Sequence, residues 1–228
     1  MTLERIALDI WKQPQARVHR IANGIPTALY AKKPRPDAIP GLKRKPDDLV
    51  VGTLAGLRAV KNLPVLATAL GGIATRTKLV IVGQGPERDA IARAAANMGF
   101  GDRLVMPGFL PEPHRYIGLF DIFALSSLSE QFPISVVEAM AAGLPVASTP
   151  VGDVPEMVAQ ENRPYLARAG DPVRLRDSLE NFTRSAELRV SVGAANRAKA
   201  RAEYDEDTMI AAYARLYGDA LARPGIFA

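Results

Sequence analysis

From residue 49 onward, short apolar runs recur along the chain: LVVGTL, KLVIVG, RLVMPG, DIFALS, PVAS and PYLARAG. Between them lie segments whose apolar residues repeat with helical period, at 61–74, 86–98 and 134–142. Strand-like runs alternating with helical ones predict an α/β fold built on a doubly wound parallel sheet. Such sheets bind ligands beyond the carboxyl ends of their strands, so the loops after each run are where chemistry is expected. The tail, about 172–222, predicts three helices, and the last carries Met209, Ile210, Tyr213, Leu216 and Tyr217 along one side. At the other end, Leu3, Ile6, Ala7, Ile10 and Trp11 share one face of a short helix stopped by Pro14. ARVHRIANGI then reads as a short strand ending at the Asn23-Gly24 turn signal. Residues 26–48 hold Pro26, Pro34, Pro36, Pro40 and Pro46 with two basic clusters, Lys32-Lys33-Pro34-Arg35 and Lys43-Arg44-Lys45. That composition predicts a linker outside the core, its charges mostly solvated.

A chain of 228 residues, 48% of them apolar, can furnish the core of one substantial domain with appendages. No run approaches the ~18 consecutive apolar residues of a membrane span, and MTLERIALDIWKQ lacks the plan of a leader peptide. The expectation is a soluble, cytoplasmic protein. The absence of cysteine excludes disulfides, a thiolate nucleophile and a cysteine-based zinc site. A net charge of +5 favours anionic ligands. Because the basic residues are scattered outside 26–48, no nucleic-acid partner is expected, and peripheral contact with the inner face of a membrane stays open.

The stretch SEQFPISVVEAMAAGLPVASTP, residues 129–150, sets Glu130 and Glu138 in an otherwise apolar run. A helix over 134–142 would be apolar nearly all round, with Ser135 and Glu138 as its polar members, so it should be buried on every side. Ser135-Val-Val-Glu138 fits a capping box, and that reading stands beside a ligand-binding one for Glu138. Capping leaves Glu130 unexplained, since it falls in the loop between DIFALSS and the helix. A loop leading into a helix N-terminus suits a phosphate, and a nearby carboxylate suits sugar hydroxyls. The turn VGQGPER carries Gly83 and Gly85 after a strand, but Arg88 stands where a dinucleotide fingerprint needs its third glycine. Asp205-Glu206-Asp207 has metal-binding spacing, yet leads straight into a helix and reads better as a cap. His19 and His114 have no partners that would build a catalytic triad, and a surface position is expected for both.

Taken in order, these pieces resemble the C-terminal, donor-binding domain of retaining glycosyltransferases of the GT-B fold, the glycosyl transferases group 1. The resemblance is collinear over about residues 17–218 and rests on RVHRIANGI, VGTLAGLRAVKNLPVLATAL, KLVIVGQGPERDAI, RLVMPGFL, DIFALSSLSEQFPISVVEAMAAGLPVASTPVGDVPEMV and AAYARLY. It implies a Rossmann-like half of a GT-B fold with C-terminal helices, a nucleoside diphosphate sugar as donor, and no cofactor or metal. Glu130 and Glu138 correspond to the family's E-x7-E pair, the first facing the transferred sugar and the second the ribose. The loop Gln131–Ser135 would offer N–H groups from Phe132, Ile134 and Ser135, Pro133 having none. Phe109 and Leu110 would cradle the base, Gly83 and Gly85 line the cleft, and Lys61 neutralise the diphosphate.

Two departures qualify that implication. The arginine that precedes the leucine in GT-x-x-R-L-x-x-x-K is Gly56 here, with Arg58 two residues away as its candidate replacement. The loop reads EQFP where relatives have EGFG. The resemblance also divides the chain into residues 1–48, the end of an N-terminal domain plus linker; 49–206, the donor domain; and 207–228, a helix directed toward the N-terminal half. On that division, an acceptor-binding domain or subunit is expected to complete the enzyme. A noncatalytic nucleotide-sugar binding module is the rival.

Overall fold

A computed structural model describes residues 3–73, 76–167 and 170–222. Five parallel strands form one sheet: β1 Leu49–Leu54, β2 Thr77–Val82, β3 Leu104–Gly108, β4 Ile122–Leu125 and β5 Val146–Ser148, in the order β3-β2-β1-β4-β5. The helices are α1 Leu3–Arg5, α2 Leu63–Gly71, α3 Arg88–Asn97, α4 Ile134–Ala141, α5 Val154–Met157, α6 Pro172–Arg184, α7 Ala186–Glu203 and α8 Glu206–Ala220, joined by 3-10 turns. The doubly wound α/β sheet expected from the alternating runs is therefore present, with three helices closing the chain.

Covering both faces explains why the strands read as continuous apolar runs rather than as alternating ones. Val51, Leu79, Ile81 and Ile122 face a core shared with Leu63, Leu66 and Leu70 of α2, Ile91 of α3 and Phe182 of α6. Val50, Val80, Phe123 and Leu125 face the opposite core, with Val136, Val137 and Met140 of α4. Strand order reverses between β1 and β4, so their following loops diverge and leave a crevice at the carboxyl edge of the sheet.

Four expectations are corrected. PYLARAG forms no strand over its described residues: Gln160–Tyr165 is a 3-10 helix with Pro164 inside it, and Leu166 makes a single bridge to Ser148. Residues 168–169 of that run, Ala74 of the predicted 61–74 helix, and 223–228 of the C-terminal segment lie outside the described residues, as do 1–2. ARVHRIANGI is not a strand either; Ile25 makes one bridge, to Asp205, with backbone hydrogen bonds of 3.0 Å to Tyr204 and Glu206. The segment 26–48 does not stay outside the core. Its prolines punctuate tight turns, and Tyr30 and Ile39 between them are buried beside α4. Arg44 is bound to Asp121 through two 2.8 Å contacts, so that basic cluster is partly structural. Ser135 lies inside α4, whose N-cap is Pro133, so the capping box does not form.

The N-terminal stripe forms α1 and a π-helical turn, Ile6–Ile10, and leaves Leu3, Ile10 and Trp11 exposed. Ile210, Tyr213 and Tyr217 of α8 are exposed as well. Asp205 caps α8 by accepting from the Asp207 N–H, in keeping with the capping reading of Asp205-Glu206-Asp207. Among the described residues no group of three His, Asp or Glu side chains is arranged to hold a metal.

Candidate functional site

The crevice holds two clusters of the sequence-predicted residues. The first begins where β1 ends. Lys61 closes the 3-10 turn Ala59–Lys61, and its Nζ lies 2.5 Å from Oε1 of Glu130 in the β4–α4 loop. Two serines that follow β4, both fully buried, hold this pair in place. Ser126 donates to the Lys61 carbonyl at 2.9 Å, and Ser127 donates to Oε1 of Glu130 at 2.7 Å. The Glu130 side chain is 11% exposed and that of Lys61 25%, so the ion pair is largely but not wholly withdrawn from water.

The loop 130–133 leans on a second loop. Gln131 accepts from the Asp153 N–H at 2.8 Å, and Gly152 sits at φ 56° with its Cα against the chain. A Cβ there would fall 2.4 Å from the Gln131 carbonyl oxygen and 2.5 Å from that of Glu130, so only glycine allows the approach. Phe132 anchors the loop from the other side, edge-on to Tyr204 with ring centroids 5.6 Å apart. The N–H groups of Ile134 and Ser135 open α4, where first-turn donors have no partner within the helix. Gln131 and Ile134 are exposed. The latter departs from the expectation of a helix buried all round.

The second cluster is a cavity of about 330 Å³ lined by Gly83, Phe109, Leu110, Ser135 and Glu138, together with Leu54, Ala55, Gly56, Val82, Gln84, Pro113 and Tyr116. Glu138 projects back along α4 toward the strand ends, as helical side chains do. Its Oε1 accepts from the Tyr30 hydroxyl at 2.9 Å. Burial raises the Glu138 carboxyl above the usual carboxylate range, and the Tyr30 hydrogen bond opposes that rise. Burial, and then the adjacent Glu138 carboxylate, push the phenols of Tyr30 and Tyr116 far up, so both remain protonated donors. Tyr116 spends its proton on the Leu110 carbonyl at 3.0 Å, fixing the loop that carries Phe109. Phe109 itself is 66% exposed, an aromatic face left open at the mouth.

The remaining sites fall around these clusters. Gly83 is required by a close approach: a Cβ on it would meet the Ala55 carbonyl oxygen at 1.8 Å, because the loops after β1 and β2 run against each other. Gly85 has the same relation to Leu57 at 2.5 Å and does not line the cavity, so its role is backbone packing. Arg58 is exposed, and its Nε lies 3.8 Å from where a Cβ on Gly56 would stand. Its side chain thus folds back over the position where the family motif has arginine. His19 is exposed, whereas His114 is half-buried edge-on to Tyr30, which corrects the surface expectation for the second histidine.

Sequence reasoning missed Tyr30, Tyr116, Ser126, Ser127 and Gly152. The serines had a legible signal, a polar pair directly after an apolar strand at the sheet's carboxyl edge. Tyr30 had none, because its segment reads as a linker.

A doubly wound parallel sheet with a helix start, a cation and two carboxylates at its switch point defines the class as a Rossmann-like α/β domain with its crevice at the carboxyl edge of the sheet. Comparison with known proteins narrows this. Residues 34–199 match the family described as glycosyl transferases group 1, and the chain belongs to that family. It is 25% identical over 211 residues to N-acetyl-alpha-D-glucosaminyl L-malate synthase of Bacillus anthracis, covering 92% of this chain and 55% of that protein. It is 31% identical over 230 residues to a GDP-mannose-dependent alpha-(1-6)-phosphatidylinositol monomannoside mannosyltransferase of Mycobacterium tuberculosis, covering 92% and 58%. Among solved structures, Anabaena HepE in complex with UDP superposes with a TM-score of 0.84 at 22% identity, covering 94% of this chain and 61% of that one. The fold is that of half of a GT-B glycosyltransferase. The chain spans little more than half the length of these curated relatives.

Proposed function

We propose that this chain binds the nucleotide part of a nucleoside diphosphate sugar and serves as the donor half of a retaining glycosyltransferase. The observation that carries the proposal is the cavity at the sheet's switch point, with Glu138 in its wall, an open Phe109 at its mouth and Ser135 leading to the Lys61–Glu130 pair. On this reading the base lies on Phe109 and Leu110, and the ribose hydroxyls donate to Glu138. The diphosphate runs toward Lys61, Arg58 and the first N–H groups of α4, and Glu130 takes hydroxyls of the sugar. Positive charge and oriented N–H groups at the departing diphosphate are the catalytic contribution, by stabilising charge as it develops. Neither carboxylate is assigned as nucleophile, and the reading invokes no metal or cofactor.

Support comes from the family and from relatives whose names state a nucleotide-sugar donor or whose structures hold UDP. The acceptor would be held by a further domain or subunit. Binding without transfer is the second reading, favoured by Gly56 standing where the family motif has its arginine. The test is calorimetric titration with UDP, GDP and ADP separately, with Glu138→Ala as control. One of them should bind saturably and the variant should bind it more weakly. Absence of binding by all three at millimolar concentration would refute the proposal.

A further inference from the structure

We propose that Tyr30, from the proline-rich segment ahead of the sheet, is a positioning residue for Glu138: its hydroxyl holds Oε1 so that the carboxylate meets the cavity as an oriented acceptor for paired hydroxyls. The inference rests on the reading of Glu138 as the ribose-facing group. Tyr30 is 6% exposed and donates to Oε1 at 2.9 Å. A carboxylate offers about four acceptor sites, so one bond from Tyr30 leaves capacity for a diol while removing the freedom to rotate.

The donor is itself fixed. Its turn, Thr27–Ala31, is tied to the start of α8 by a hydrogen bond from the Thr27 hydroxyl to Asp205, and by the backbone bonds of Ile25 to Tyr204 and Glu206. A site group held by a partner that is held in turn is preorganised before ligand arrives. The surroundings make this bond matter. Among the described residues Tyr30 and Tyr116 are the titratable groups around Glu138, His114 lies behind Tyr30 at 6.0 Å between ring centroids, and no basic side chain offsets the desolvation of the carboxyl. The Tyr30 hydroxyl is the influence that favours the ionised form.

The experiment measures affinity for UDP, GDP or ADP, whichever binds tightest to the wild-type chain, between about pH 4.5 and 8. Wild type, Tyr30→Phe, Glu138→Gln and the double variant are compared. Tyr30→Phe keeps the ring and loses only the proton donor. It should bind about 2- to 12-fold more weakly at neutral pH, the scale of one ordinary net hydrogen bond, because the bond lost orients the carboxylate rather than touching the ligand. Losing the bond raises the Glu138 carboxyl further, so the variant should lose affinity at a higher pH than wild type as pH falls. The diphosphate's own titration is common to all four proteins and cancels. In the Glu138→Gln background the second substitution should change little.

An equal affinity and an unshifted acid limb in Tyr30→Phe, while Glu138→Gln still weakens binding, would overturn the positioning role and leave the nucleotide reading standing. Failure of the wild type to bind any of the three nucleotides would remove both. A ligand-free measurement covers the case of a variant that does not fold. In the wild type, the Tyr30 Cζ and Glu138 Cδ resonances should titrate with one midpoint in 13C NMR, and separate midpoints would overturn the proposal.

Discussion

The Lys61–Glu130 pair makes opposite predictions for two substitutions that a purely structural salt bridge would not separate. Removing one partner from a fully buried pair costs about 3–5 kcal/mol, and exposed pairs are worth about 0–1 kcal/mol. With 25% of the Lys61 side chain and 11% of the Glu130 side chain exposed, this pair falls between those limits. Lys61→Met strands the more enclosed partner, leaving Glu130 only its hydrogen bond from Ser127, and should destabilise by about 2–3 kcal/mol. Glu130→Gln keeps an oxygen for Ser127 and leaves an ammonium that can rehydrate, so about 1–2 kcal/mol is expected. Nucleotide affinity should divide differently. Lys61→Met loses a charge-assisted contact to the diphosphate, about 1.5–3 kcal/mol or a 10- to 150-fold weaker nucleotide. Glu130→Gln frees the same ammonium from its carboxylate, so affinity for the nucleoside diphosphate should hold or increase. Urea denaturation by circular dichroism and nucleotide titration by calorimetry measure the two quantities. If Glu130→Gln weakened the nucleotide as much as Lys61→Met, the assignment of Lys61 to phosphate and Glu130 to sugar would be refuted.

Three further outcomes follow from the site. Gly152→Ala forces a side chain into positive φ, at about 1–2 kcal/mol, and its Cβ into two carbonyl oxygens. A loss of at least 2 kcal/mol in urea denaturation is expected, and full wild-type stability would show that the 130–131 loop does not rest on Gly152. Phe109→Ala should leave stability within about 0.5 kcal/mol because the ring is exposed, yet weaken the nucleotide by about 1–3 kcal/mol of lost base stacking in calorimetry. Glu138 has a carboxyl raised by burial, so the folded state binds its proton more readily than the unfolded state does. Its charge therefore lowers stability above the folded pKa, and the penalty fades as pH falls through it. Glu138→Gln should raise Tm at pH 7 and raise it less near pH 4, and a larger gain at the lower pH would contradict the assignment.

What could be read from the chain depended on whether the determining contacts were local. The strands before each loop were legible because a sheet covered on both faces needs unbroken apolar runs, and Leu49–Leu54 and Thr77–Val82 supply them. The run at 164–170 has the same composition, but Pro164 lies inside a 3-10 helix, and among its described residues the pairing with β5 is limited to the Leu166–Ser148 bridge and one bond from the Ala167 N–H to the Ser148 carbonyl. Glu130 and Glu138 were legible as polar residues in an apolar context. Their partners were not, since Lys61 lies 69 positions from Glu130 and Tyr30 lies 108 positions from Glu138. Ser135-x-x-Glu138 satisfied a local rule that the fold overrode by starting the helix at Ile134, with Pro133 as its N-cap.

The two carboxylates are set up in opposite ways, and on the proposed reading this would divide the ligand between them. Glu130 has its charge met by Lys61 and Ser127, which on the proposed reading would lessen its repulsion of a neighbouring diphosphate. Among the described residues Glu138 has no cation beside it and accepts from a phenol, so it suits neutral hydroxyls and would disfavour a phosphate in its own cavity. On the same reading the arrangement would shift weight onto Arg58. With Lys61 already shared with Glu130, a diphosphate would draw on a second cation. Arg58, which makes no ion pair among the described residues, folds back to the position left open by Gly56. A guanidinium rooted two residues further on would then meet the phosphates from a different angle than one rooted at position 56. The glycine at 56, which looks like a loss in the motif, leaves that position to the Arg58 side chain, whose Nε lies 3.8 Å from where a Cβ would stand.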